Sequence, residues 1–419
     1  MKRVLMVAFH FPPAATSSGI QRTLRFVQYL PALGWEPVVL TAHPRAHERT
    51  NSALLADVPA GVRVEQAFAL DAARHLSIGG RYPGFLARPD RWRSWRPGAV
   101  AAGLRLMRRQ RFDALWSTYP IATAHNIAAA LHARTGVPWV ADFRDPMAQD
   151  GYPADPVTWQ QFKAIEQRAI ERAAVSVFTT RGAAAMYRER YPAVAARRIA
   201  VIENGYDEQT FAASAAQVGR DAGLVPGALT LLHSGVVYPS ERDPTQLVEA
   251  LASLKAQGRI AAANFRMRFR ASENDALIAR LAQVAGVSDL IELCPPVPYK
   301  EALAEMLRAD ALVVLQASNC NAQVPAKLYE YLRAQRPVIA LTDPAGDTAQ
   351  VVLRSGIPAV ASLDSASQIA ELLSRFVADR TQREQWIAHP DAVRQSSRAA
   401  RAAELAALLD GLSSQPAAG

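Results

Sequence analysis

Short apolar runs alternate along the chain with stretches whose apolar residues recur every three or four positions. The first run, RVLMVAF at 3–9, ends at the turn Phe11-Pro12-Pro13 and reads as a buried strand. Ile20, Leu24, Val27 and Leu30 then fall at helical spacing directly after Gly19. Strand, glycine-bearing loop and helix, in that order, open a doubly wound α/β domain. Further strands are predicted at 37–41, 62–68, 114–117, 139–143, 175–179 and 199–203, with helices at 98–109, 122–134 and 158–172. Around 204–227 the pattern breaks into Gly, Ala and polar residues, which places a hinge there. A second series follows, with strands at 229–233, 265–270, 290–293, 311–315, 337–341 and 357–361 and helices between them.

The pattern therefore predicts two Rossmann-like domains in tandem, 1–207 and 208–390, facing each other across a cleft at the carboxyl ends of their strands. An amphipathic stretch at 394–412, within a last segment 391–419, is expected to cross back and brace the first domain, with 413–419 as a frayed tail. The length of 419 residues agrees, because one hydrophobic core rarely serves so long a chain. With half the residues hydrophobic and 20% charged, the chain is globular rather than disordered.

Charge and cysteines narrow the setting. The apolar run at the N-terminus is too short, and too soon interrupted by proline, for a signal peptide, and nothing later reaches the ~20 apolar residues of a membrane span. Cys294 and Cys320 are the only cysteines, which fits a reduced cytosol and excludes a disulfide scaffold or a cysteine-ligated zinc. The net charge of +9 is concentrated at 74–111, where Arg81, Arg88, Arg91, Arg93, Arg96, Arg105, Arg108, Arg109 and Arg111 interleave with Tyr82, Phe85, Trp92 and Trp95. This mixture suits an anionic membrane surface, or else a solvated face whose aromatics pack inward. No nucleic-acid motif accompanies it, so nucleic acid is not an expected partner.

Candidate chemistry lies at the strand ends. After the first strand come His10, Ser18, Gly19 and Arg22, without the Gly-x-Gly-x-x-Gly of a dinucleotide site or the Gly-x-x-x-x-Gly-Lys-Ser/Thr of a P-loop. Gly19 either starts a helix that receives an anion or merely makes a turn. The strand Trp139-Val140-Ala141-Asp142-Phe143-Arg144-Asp145 ends in three charges that must be paired or used. Arg144 either pairs with Asp142 or Asp145 or serves a ligand. In the second half, Leu232-His233-Ser234-Gly235 leads to Arg242 ahead of another helix, a place for a diphosphate. Lys327 and Glu330, three apart, share a helix face that begins at a strand's carboxyl end. Such a lysine can hold a diphosphate, and such a glutamate can accept both ribose hydroxyls.

With these segments, and with Asn204-Gly205-Tyr206-Asp207, the chain resembles glycosyltransferase family 4, retaining enzymes of GT-B fold. The run Asp142 to Pro146 resembles a subgroup that builds bacterial surface polysaccharides. The resemblance implies a cytoplasmic hexosyl transfer from a nucleotide-sugar to a saccharide or polyprenyl-diphosphate-linked acceptor, peripheral at the inner membrane face, with no metal or other cofactor. It makes Gly19, Gly235, Arg242, Asn321, Lys327, Leu328 and Glu330 donor-binding, His10, Ser18 and Arg22 acceptor-binding, and Asp142, Arg144 and Asp145 catalytic, the two aspartates as acceptor-orienting groups. Glu330 matches the second glutamate of the family's Glu-seven-residues-Glu motif, whose first falls on Ala322. The histidine many members carry falls on Arg144. A sugar-nucleotide 2-epimerase of the same fold, and an inactive nucleotide-sugar-binding partner, are the competing readings.

Overall fold

Apolar runs without alternation need cover on both faces, and the computed structural model, described over residues 1–15, 19–216 and 223–413, supplies it. The chain divides into a first unit of 1–203 with 398–419 and a second of 204–397. The sequence reading drew these limits at 207, 208–390 and 391–419.

In the first unit seven parallel strands form one sheet: β1 (Lys2–Val7), β2 (Trp35–Ala42), β3 (Arg63–Ala67), β4 (Ala114–Thr118), β5 (Trp139–Arg144), β6 (Val175–Phe178) and β7 (Ile199–Val201). Their order is β3-β2-β1-β4-β5-β6-β7. Because successive side chains point to opposite faces, Leu5 and Val7 enter one core with Leu115, while Val4 and Met6 enter the other with Trp116. The first core is closed by α2 (Trp95–Arg109), α3 (Ala122–Thr135) and α4 (Pro156–Arg172), through Leu106, Ile127 and Ile165. The opposite core is closed by α1 (Ile20–Tyr29) and the terminal helix Arg398–Ser413, through Leu24, Val27, Leu405 and Leu409.

The terminal helix is pinned to the first strands as well. Asp410 accepts from Trp35 Nε1 and pairs with Lys2 Nζ, both at 2.9 Å. The amphipathic stretch that the sequence presents as continuous is two helices, Pro390–Gln395 and Arg398–Ser413, and the break between them coincides with the boundary of the units.

The second unit repeats the plan with β8 (Leu229–Ser234), β9 (Phe265–Arg270), β10 (Ile291–Cys294), β11 (Ala311–Gln316), β12 (Val338–Thr342) and β13 (Val360–Ala361), all parallel, in the order β10-β9-β8-β11-β12-β13. Its core gathers Leu231, Val313, Ile339 and Leu341 with Leu328 and Leu332 of α5 (Ala326–Ala334). In each sheet the strand order reverses direction once, between β1 and β4 and between β8 and β11. At such a switch point adjacent crossovers part to opposite faces, and a crevice opens at the carboxyl ends of the strands.

Candidate functional site

At the switch point of the first unit the side chains form one braced cluster. Arg22, in the first turn of α1 and only 4% exposed, meets Asp142 of β5 through two donors, Nε at 3.0 Å and Nη2 at 2.8 Å. Its remaining hydrogens reach the carbonyls of Ile202 at 2.9 Å and Glu203 at 3.1 Å. The Thr118 hydroxyl donates to the same carboxylate at 2.8 Å. A buried ion pair with every polar atom partnered holds its elements in register. Arg22, expected in acceptor binding, and Asp142, expected in catalysis, together tie α1, β4, β5 and the end of β7.

Arg144 differs. It ends β5 at a shift in strand register, with a left-handed φ of 57°, and no carboxylate lies within 4 Å of it among the described residues. Its buried Nε has no partner, and burial pulls its pKa below the usual value. Of the two alternatives for Arg144, the ion pair with Asp142 or Asp145 is not made; Asp145 is exposed, and its N–H turns back to the Phe143 carbonyl at 2.6 Å. His10, at the end of β1, is lowered to about 4 by burial, by the Arg144 guanidinium and by His47, so it is neutral at neutral pH. The corner thus presents a neutral imidazole and a guanidinium on which Asp145 and Asp142 act only from beyond 4 Å. Gly19 precedes α1 with no side-chain cap, and Ser18 lies outside the described residues.

At the switch point of the second unit, Lys327 in the first turn of α5 extends over Gly235 at the end of β8. A Cβ on Gly235 would sit 2.8 Å from Lys327 Nζ, and the φ of 114° is itself a glycine conformation. The Gly235 N–H is bonded to the Arg270 carbonyl at 2.8 Å, so the glycine contributes space for the amine rather than an amide for an anion. On the far side the amine meets His233 Nε2 at 3.3 Å. His233 is fully buried, and its Nδ1 faces the Val313 carbonyl at 2.9 Å. That contact requires Nδ1 to carry the proton, which leaves Nε2 to accept from the lysine. Burial and the neighbouring Lys327 hold His233 neutral, well below its ordinary pKa.

Burial and Arg242, opposed by Glu330, bring Lys327 down to about 7. Arg242 donates to the Val236 carbonyl at 2.8 Å, stands 5.0 Å over the Tyr238 ring and keeps a buried Nε without a partner. The Arg242 guanidinium thus stands close enough to disfavour a charged Lys327 amine, and two basic side chains side by side can receive an anionic group. Glu330, on the same helix, accepts from the Tyr299 hydroxyl at 2.6 Å.

Two expected donor residues lie elsewhere. Leu328 is fully buried in the core, because the helix face that carries Lys327 and Glu330 does not include the position beside Lys327. The Asn321 amide donates to Asp343 at 2.7 Å, and its Oδ1 would be 2.6 Å from a Cβ on Gly346, which ties it to the loop after β12. His233 and Tyr299 were not singled out in the sequence. The signal for His233 was present, as a histidine inside the apolar run Leu229 to His233. Among the described residues no group of three or more His, Cys, Asp or Glu is placed to hold a metal ion.

Residues 18–205 match the family described as Glycosyl transferase 4-like domain. By that domain the chain is a glycosyltransferase-type enzyme, and its fold is GT-B. A comparison with curated proteins gives no match at the level of sequence. Among solved structures this glycosyltransferase-type chain is similar to sucrose-phosphate synthase from Thermosynechococcus elongatus, at 15% identity over 98% of this chain and 99% of that one, with a TM-score of 0.65. It is similar to Anabaena HepE, solved with UDP and glucose, at 14% identity over 99% and 100%, TM-score 0.62. It is also similar to WaaG, a glycosyltransferase involved in lipopolysaccharide biosynthesis, at 14% identity over 98% and 100%, TM-score 0.60.

Proposed function

We propose that the chain is a retaining glycosyltransferase that moves a sugar from a nucleotide-sugar to a saccharide or polyprenyl-diphosphate-linked acceptor in the assembly of a bacterial surface polysaccharide. The observation that carries this reading is the Lys327 amine, held above Gly235 by the neutral His233 and next to Arg242. A donor diphosphate seated there would meet both cations, and Glu330 would accept the ribose hydroxyls. As the anomeric C–O bond breaks, the leaving diphosphate oxygen keeps the electron pair, and Lys327 and Arg242 neutralise it without requiring a metal ion. The acceptor hydroxyl adds on the face the diphosphate leaves, and its proton passes to that same oxygen. Arg144 and neutral His10 lie on the acceptor half. HepE, solved with UDP and glucose, supports the donor class, and WaaG supports the setting.

Transfer assays with UDP-, GDP-, ADP- and dTDP-sugars test the reading. Turnover with retained anomeric configuration, lost in Lys327→Ala and in Glu330→Ala, is the expected result. Release of an epimerised nucleotide-sugar without acceptor would replace transfer by epimerisation. Tight donor binding without turnover would make the chain an inactive partner, the reading that Ala322 at the first motif position favours. A cytoplasmic protein peripheral on the inner membrane is part of the proposal; no described helix is long and apolar enough to cross a membrane.

A further inference from the structure

We propose that the first unit carries a second anion site, built from residues other than those of the Arg22–Asp142 cluster, that takes the phosphate or diphosphate ester group of a ligand. Arg88, Arg93, Arg96 and Arg168 line one cavity of about 640 Å³ together with Asn126 and Gln161. The arginines arrive from separate places, two from the loop ahead of α2, one from the first turn of α2 and one from α4.

Three of the four, Arg93, Arg96 and Arg168, have no carboxylate within 4 Å among the described residues. Three other guanidiniums of the basic segment are paired: Arg91 with Asp71 at 3.5 Å, Arg105 with Glu65 at 3.6 Å and Arg111 with Asp113 at 3.2 Å. Around the cavity two carboxylates are near, and both already serve the fold. Asp155 takes Arg88 at 3.1 Å while capping α4 through the Thr158 N–H at 3.0 Å. Asp90 accepts from the backbone of Trp92 at 3.1 Å, and from the N–H and hydroxyl of Thr123 at 2.8 and 3.0 Å. Arg168 has only the neutral Asn126 amide, at 3.0 Å, and Arg93 the Phe85 carbonyl. Arg96 has no carboxylate within 4 Å among the described residues. Three planar guanidiniums facing one cavity without anions match the geometry of phosphate oxygens.

The surroundings favour an amphiphilic source for that group. Phe85, whose carbonyl Arg93 holds, is 62% exposed, and Ile78 in the same loop is 89% exposed. Exposed apolar side chains beside cations are the mixture that enters a lipid interface. The inference deepens the acceptor part of the proposed function and rests on it for the identity of the ligand.

The test uses the full chain carrying Arg242→Ala and Lys327→Ala, which silence the diphosphate seat at β8, titrated with inorganic pyrophosphate by calorimetry. One saturable site is expected, weakened at least tenfold when Arg96→Gln and Arg168→Gln are added. Both side chains are exposed, so an unchanged melting temperature confirms that the fold is intact. Absence of saturable binding, or equal affinity in the quadruple variant, overturns the proposal. Flotation with phosphatidylcholine vesicles with and without phosphatidic acid identifies the source. Flotation that needs phosphatidic acid and both arginines assigns the site to a membrane phosphate, and pyrophosphate binding without flotation assigns it to a soluble ester. Turnover by the unsubstituted chain on a phosphate-free saccharide acceptor reads the transfer proposal separately, so that either can fail alone.

Discussion

Donor binding should take up a proton, and Lys327 is the reason. In the free protein its pKa is about 7, with burial and Arg242 pushing it down and Glu330 pushing it up. A group with that pKa is only about one-tenth charged at pH 8, since each unit changes the ratio tenfold. A diphosphate arriving beside the amine favours the ammonium, so binding at pH 8 should draw in up to roughly 0.9 of a proton. If the bound pKa lies well above 9, donor affinity falls roughly fiftyfold between pH 7 and pH 9, because the competent charged form becomes scarce. The diphosphate of a nucleotide-sugar is esterified at both ends and does not titrate in this range, and His233, held well below its ordinary pKa, stays neutral throughout. The assay is calorimetric titration of the nucleotide-sugar in buffers of differing ionisation enthalpy, from which the proton count follows. Lys327→Arg, charged at every pH tested, should bind without uptake. An uptake below about 0.2 proton at pH 8 in the unsubstituted chain would refute the seat at Lys327. The sign for stability is also determined. The folded pKa lies below the unfolded 10.5, so between about pH 7 and 10.5 the unfolded chain holds the extra proton, and stability should rise with pH across that window.

Three further outcomes are expected. Gly235→Ala places a methyl 2.8 Å from Lys327 Nζ at a φ of 114°, and should weaken donor binding at least tenfold while costing about 1–3 kcal/mol of stability, measured by titration and denaturant unfolding. Asp142→Asn or Arg22→Met breaks the buried pair and should cost about 3–5 kcal/mol in urea unfolding, with the double variant Arg22→Met/Asp142→Leu losing much less than the sum. Arg144→Ala removes a guanidinium without an ion-pair partner; turnover should collapse while the melting temperature holds or rises, and a large loss of stability would assign Arg144 to the fold instead.

Which features could be read in advance follows from the distance over which each is determined. The strands were legible because a parallel strand covered on both faces is a continuous apolar run, as in β11, where Leu312, Val313, Val314 and Leu315 stand in succession. Their order in the sheet was not legible, since nothing within Leu229 to Ser234 states that β9 and β11 flank it. The candidate residues divide the same way. Lys327 and Glu330 share a face through local helix geometry alone, so their proximity was visible at a spacing of three. By the same geometry the Leu328 side chain turns into the core, because one step along the helix rotates a side chain by about 100°. Arg22 and Asp142 were each seen as charges near strand ends, yet their pairing crosses 120 positions and satisfies both, which no local pattern reveals. Arg144 shows the converse: its neighbours Asp142 and Asp145 suggested a partner, but Asp142 is already held by Arg22 and the left-handed turn at Arg144 carries Asp145 outward. A charge next to a carboxylate in sequence is thus left without an ion pair by a pairing made far along the chain. That is why its substitution separates activity from stability, whereas substitution of Asp142 cannot.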